Sequence, residues 1–230
     1  MRPWARAEVW LATRPASTVT PDGEGFVKRR TALGSVAVLS TAVRATRFVV
    51  LPERAWFARE AWLFRALYDL DVEPRGGGRL WLPRLPGERL DHAVAARDRP
   101  AALALARAAL AKLTILHDTL PFSHADATAK NALVDAHGAV RFFDFETVHP
   151  SAFSSRARLA DDLATLAGSL ALAMGTWSDA PLAELLAEAH PDLGYELLAA
   201  ASARDLASRA RVPMTEARHR SWVASFRSRI

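Results

Sequence analysis

The chain has 230 residues, half of them hydrophobic, and 30 Lys and Arg against 25 Asp and Glu give a formal net charge of +5. That is enough apolar material for one sizeable core, or for one core divided between two lobes. The absence of cysteine excludes disulfides, thiolate metal sites and a cysteine nucleophile.

The first ten residues, MRPWARAEVW, lack the apolar block and small-residue cleavage site of a signal peptide. No apolar run reaches the roughly 18 residues needed to span a bilayer, so a soluble, cytoplasmic protein without a transmembrane segment is expected. A basic balance suits nucleic acid, anionic lipid or phosphorylated ligands. Here the arginines are scattered and form no stripe, so there is no strong nucleic-acid signal. Of the basic residues only three are lysines, Lys28, Lys112 and Lys130. In a chain that uses Arg by default, a retained Lys marks a place that needs a compact ammonium ion and not a planar fork.

Residues 1–90 read as a mixed segment. AEVWLAT, STVT, GFVKRR and RLWLPRL are short and β-prone, with Pro-Asp-Gly and Gly-Gly-Gly turns nearby. Between them, Pro52 to Leu70 has a helical pattern in which Trp56, Glu60, Leu63, Leu67 and Leu70 share a face. LPRLPGERL, residues 82–90, has the prolines and glycine of a crossing between lobes.

Residues 91–230 are mostly helical in pattern. PAALALARAALAKLTILH places Leu103, Ala106, Leu110, Leu113 and His117 on one face, and RLADDLATLAGSLALAM does the same with Leu159, Leu163, Leu166 and Leu170. Further helices are expected at about 180–190, 193–210 and 213–228. The exception is NALVDAHGAVRFFDF, which reads as a hairpin over 132–145 with DAHG as its turn. The expected class is therefore α+β, with a small antiparallel-sheet lobe carrying one long helix (1–86) and a helical lobe with an embedded hairpin (87–230).

Chemistry concentrates around that hairpin. Asp126 lies on the loop before it, Asn131 precedes its first strand and Asp144 ends its second. A tight turn would bring these three oxygen-bearing side chains to one mouth, a donor set suited to Mg²⁺ held with substrate phosphates. Read conservatively, an Asp-Asn pair is turn chemistry.

The pattern His124-x-Asp126-x-x-x-x-Asn131, then a hairpin, then Asp144-Phe145-Glu146 resembles the catalytic loop (124–131) and metal motif (144–146) of the protein-kinase-like superfamily. D-F-E in place of D-F-G resembles the aminoglycoside phosphotransferases, lipopolysaccharide core kinases and other atypical kinases. The resemblance covers roughly residues 20–175. It implies a bilobal fold that moves the γ-phosphoryl group of ATP, with Mg²⁺, to a hydroxyl of a sugar, a lipopolysaccharide-type acceptor or a protein Ser/Thr. Asp126 would be the catalytic base, Asn131 and Asp144 the metal ligands, and His124 a structural residue packed under the loop.

By the same resemblance Lys28 would contact the α/β-phosphates and Glu60 would hold it, with Glu53 as a rival. Lys130 would meet the acceptor or the γ-phosphate, or be a solvated loop lysine. The backbone from Leu82 to Leu85 would receive adenine. Asp162 would brace the catalytic loop, or Asp161 and Asp162 are simply favourable charges in the first turn of a helix.

Three departures stand out. There is no glycine-rich G-x-G-x-x-G loop, so TRPAST would form the roof over the phosphates. Residue 125 is Ala, and no A-P-E segment follows D-F-E. An alternative is therefore a catalytically weak pseudokinase acting as a nucleotide-binding regulatory or interaction module. The compact helical lobe and Arg-rich surface point to an anionic or macromolecular acceptor, or to peripheral association with anionic surfaces.

Overall fold

The computed structural model of the chain describes residues 17–31, 47–203 and 211–229. It divides into two compact units. One runs to Leu85 and includes Asp144–Pro150; the other comprises Pro86–Phe143 and the residues from Ser151 onward. The expected strand AEVWLAT and residues 13–16 of TRPAST lie outside the described residues.

In the first unit, β1 (Ser17–Asp22) and β2 (Gly25–Arg30) form an antiparallel hairpin through the Gly23-Glu24 turn. β2 also pairs with β5 (Arg79–Pro83), and β5 with β4 (Glu73–Pro74), so the sheet order is β1-β2-β5-β4, antiparallel throughout. Gly25 is required by contact: a Cβ there would sit 2.4 Å from the Leu82 carbonyl oxygen and 2.6 Å from the Trp81 ring.

α1 (Glu53–Tyr68) follows Pro52, whose fixed φ suits a helix entrance, and ends on Asp69 in the left-handed region. It buries Trp56, Glu60, Leu63 and Phe64 on one face. Burying each large apolar side chain there contributes about 1.5–3 kcal/mol; a glutamate on that face needs a separate explanation. A two-stranded ladder, β3 (Val49–Val50) with β9 (Thr147–Val148), was not expected from the sequence. Together with the hydrogen bond from Leu51 N–H to Glu146 O, 2.9 Å, it ties the segment after Asp144 to the chain just before α1.

In the second unit, β6 (Glu88–Arg89), β7 (Ala132–Val134) and β8 (Val140–Phe142) form an antiparallel sheet in that order. Gly87, at φ 126°, is the second obligatory glycine, since a Cβ would lie 2.5 Å from Val134 O. The hairpin expected over 132–145 is present over Ala132–Phe142, so Asp144 does not end its second strand but lies two residues beyond it. Its turn is built by Asp135, whose Oδ1 accepts from His137 N–H and Ala139 N–H, both at 2.9 Å, as an aspartate at a turn does.

The helices of this unit are α2 (Leu90–Ala95), α3 (Arg99–Thr119), α4 (Ser155–Met174), α5 (Asp179–Ala189), α6 (Gly194–Ser202) and α7 (Glu216–Arg227). α3 starts on an Asp98 side-chain cap with Pro100 in its first turn, α4 on Ser154 and α7 on Thr215. α4 is the centre of the unit. It is buried nearly all round, from Ala160 through Met174, and α2, α3, α5 and α6 pack on it. Gly168 faces Val212, Met214 and Trp222.

α2 was not anticipated. The helix expected over 193–210 is described as far as Ser202, and residues 204–210 lie outside the described set. α3 corrects the expectation that no stretch is apolar enough to cross a bilayer. By length and composition it qualifies, with 39% of its most apolar window buried within the fold. Ala102, Ala106, Ala109 and Leu113 form its fully covered stripe.

Candidate functional site

Two clusters of chemically active side chains stand out, one in each unit. In the first unit the sheet supplies Lys28, and period two along β2 places Arg30 on the same face. α1 supplies Trp56 and, one turn later, Glu60. The β3–β9 ladder delivers Asp144, Phe145 and Glu146. The Lys28 side chain is 3% exposed and its ammonium bonds Asp144 Oδ1, a partner on a side chain that is 30% exposed. Glu146 Oε2 lies 3.4 Å from the same nitrogen.

Burial by itself would lower the Lys28 pKa, but Asp144, Glu146 and Glu60 together raise it, so the ammonium stays charged. Lys28 Nζ and the Arg30 guanidinium carbon lie 5.0 and 4.9 Å from the centre of the buried Trp56 ring, within cation–π range.

Glu60 is fully buried and does not hold Lys28 by a direct ion pair; its Oε2 accepts the Phe145 N–H at 3.0 Å. The glutamate thus anchors the D-F-E backbone. Burial pushes its pKa up to about 7, against the lowering effect of Lys28 and with the repulsion of Asp144 and Glu146. Glu146 is also raised, first by burial. Asp144 sits at φ 68°, a left-handed conformation that aspartate tolerates better than most residues. Of the two candidate glutamates, Glu60 is the buried one and Glu53 is exposed.

In the second unit the loop between α3 and β7 is organised around one carboxylate. Asp162, fully buried on α4, accepts from His124 N–H at 2.9 Å, Ala125 N–H at 2.8 Å and His117 Nε2 at 2.9 Å. It braces the loop directly. His124 is fully buried, donates from Nε2 to Phe143 O at 3.0 Å and stacks edge-on with Phe122 and Phe142.

The Asn131 amide donates to Asp126 twice, to the backbone oxygen at 3.0 Å and to Oδ2 at 2.9 Å. Phe143 N–H donates to Asn131 O at 3.0 Å, so the hairpin does return the chain to Asn131. Asp144 is the next residue and is grouped with the first unit.

Three expected site residues join neither cluster. Lys130 is exposed and makes no ion pair among the described residues. Leu82 is half-buried in β5 opposite Phe26, and Leu85 is buried at the end of the first unit. Sequence reasoning gave no individual site role to Glu146 or Arg211, saw Arg30 only within a strand, Trp56 and His117 only on helix faces and Asp161 only as a helix charge. Glu146 stood within the motif already singled out, and period two along GFVKRR pointed to Arg30. Nothing in the sequence linked Arg211 to Asp161.

The chemistry of the oxygen donors fits a hard cation. In the first cluster three carboxylates face Lys28, and Glu60 Oε1 is buried without a hydrogen bond. Such an excess of buried acid is stable when a cation completes it. Comparison with protein-family models, with curated proteins and with solved structures gives no match.

Proposed function

We propose that the chain is an ATP-dependent phosphotransferase with a bilobal, protein-kinase-like fold that moves the γ-phosphoryl group to an alcohol hydroxyl. The observation that carries this reading is the buried pairing of Lys28 with Asp144, 116 residues further along the chain. A lysine is rare in this sequence, and its pairing with the acid of the D-F-E motif supports reading it as the phosphate-contacting cation of such an enzyme. The hydrogen-bonded pair of Asn131 and Asp126 is the second support.

In this reading Lys28 holds the α/β-phosphates, and the backbone from Leu82 to Leu85 receives the adenine. Asn131 and Asp144 would each offer an oxygen to Mg²⁺, which would supply charge neutralisation at the transferring phosphoryl group. Asp126 orients the acceptor hydroxyl and takes its proton as the oxygen attacks the γ-phosphorus. The bond from that phosphorus to the β,γ-bridging oxygen breaks, and ADP leaves with the electron pair. The Asn131 amide fixes the Asp126 carboxylate beforehand, so alignment is built in and not acquired during the reaction. Lys130, long and solvated, meets the charge of the transferring group. A sugar, a glycolipid or a protein Ser/Thr each offers the required hydroxyl.

The test is transfer from γ-labelled ATP with Mg²⁺ across small-molecule, glycolipid and protein acceptors, with Asp126→Ala as control. Label transfer that disappears in the variant is expected. Mg-nucleotide binding without transfer to any acceptor, in both proteins, would favour the regulatory alternative. Saturation with Mg-ATP should also raise the melting temperature, since about 2.7 kcal/mol of stabilisation accompanies a ligand at a hundred times its Kd.

A further inference from the structure

The mechanism above makes no use of Asp161 or Arg211, yet they are only 2% and 7% exposed. Arg211 Nη1 donates at 2.8 Å both to Asp161 Oδ2 and to the backbone oxygen of Ala125, and Nη2 reaches Asp161 Oδ1 at 3.5 Å. Ala125 is an alanine in the left-handed region, φ 59°, a conformation that persists only where its surroundings hold it.

Both peptide groups flanking that residue are held by side chains. Asp162 Oδ1 takes the Ala125 N–H, and Arg211 takes the Ala125 carbonyl. The second of these belongs to the peptide from which Asp126 projects. If that peptide turns, the Asp126 carboxylate turns with it and the Asn131 amide loses its partner. Two adjacent acids on α4 therefore grip one loop in different ways: Asp162 directly, and Asp161 through an arginine contributed from beyond α6.

We infer that Arg211 is a positioning residue: by holding the Ala125 carbonyl it sets the aim of Asp126 at the acceptor hydroxyl. This rests on the phosphotransferase reading. The experiment uses the full chain as wild type, Arg211→Gln, Arg211→Lys and Asp126→Ala. Mg²⁺-dependent ADP release from ATP, with water as acceptor, is measured per nucleotide site, and sites are counted by calorimetric titration with Mg-ADP.

Arg211→Gln should bind Mg-ADP with affinity within about twofold of wild type and lose about 100-fold in turnover per site, the scale set by misplacing an aligned group. Arg211→Lys, which keeps one donor for the Ala125 carbonyl, should recover about tenfold of that loss. Wild-type turnover per site in Arg211→Gln overturns the inference, and so does a loss fully matched by missing Mg-ADP sites. If the Gln variant fails to fold, the Lys variant decides alone: reduced turnover per site at unchanged KM for ATP supports the inference, and unchanged turnover overturns it. Equal turnover in wild type and Asp126→Ala overturns the phosphotransferase reading itself, and this inference with it. Loss in Asp126→Ala with none in the Arg211 variants overturns this inference only.

Discussion

The two clusters handle buried acid in opposite ways. Around Asp162 and Asp161 every acid meets a fixed donor: two backbone N–H groups, a histidine and a guanidinium. That loop is braced by hydrogen bonds that need nothing from outside. Around Lys28, Asp144 and Glu146 share one ammonium with Arg30 nearby, the pKa of buried Glu60 is pushed up to about 7, and its Oε1 goes unbonded. The first arrangement is closed by its own donors. The second leaves buried acid incompletely paired, an arrangement that suits a charged ligand. A protein built only for stability would have little reason to leave such an excess of acid in its interior.

Substitutions break this comparison to different degrees. The largest effect is expected at Asp126. Asp126→Ala should cut phosphotransfer by about 10²–10⁴-fold while Mg-nucleotide still binds, measured by label transfer beside calorimetric titration. Intact transfer in the variant would remove Asp126 from catalysis.

Next is Lys28→Met, which leaves Asp144, Glu146 and Glu60 without their ammonium. Removing one member of a buried ion pair costs about 3–5 kcal/mol, so urea unfolding should show a loss of that order together with weak nucleotide binding. A stability change below about 1 kcal/mol would mean that solvent already compensates the acids.

The pH dependence of the same cluster follows from Glu60. Its folded pKa, about 7, stands above the ordinary value of 4.5. The folded state therefore holds its proton more tightly, so the stability Glu60 contributes is complete below pH 4.5 and is lost as pH rises through about 7. Glu146 acts in the same direction. Glu60→Gln keeps an oxygen for the Phe145 N–H but cannot ionise. It should remove Glu60's share, about 2–3 kcal/mol, of the stability lost between pH 5 and pH 8. Identical denaturation profiles against pH in wild type and variant would refute the assignment.

The smallest effect is expected at the exposed Lys130. Lys130→Gln should leave stability within about 0.5 kcal/mol and lower turnover about tenfold at unchanged nucleotide affinity. Unchanged turnover would make it a solvated loop lysine.

Much of the fold was legible before any coordinates. Periodicity placed α1, α3, α4, α5 and α7 close to their observed ends, and the DAHG turn announced the β7–β8 hairpin. Local signals failed where an element is short and held by distant partners. β3 and β9 have two residues each and exist only because they pair across the chain, and α2 has six. For the candidate site, residue type and spacing pointed to Asp126, Asn131 and Asp144, and the kinase-like resemblance added Lys28 and Glu60. They did not reveal that Glu60 would bond Phe145 N–H and leave Lys28 to Asp144 and Glu146.

Helix and hairpin positions are local properties, written in side-chain periodicity and turn chemistry within a few residues, and the amino-acid order was sufficient to determine them. Which acid meets which cation is not local. Lys28 finds Asp144 and Arg211 finds Asp161 only after the sheet and helices pack, because a buried charge takes whichever partner the packed chain brings within reach.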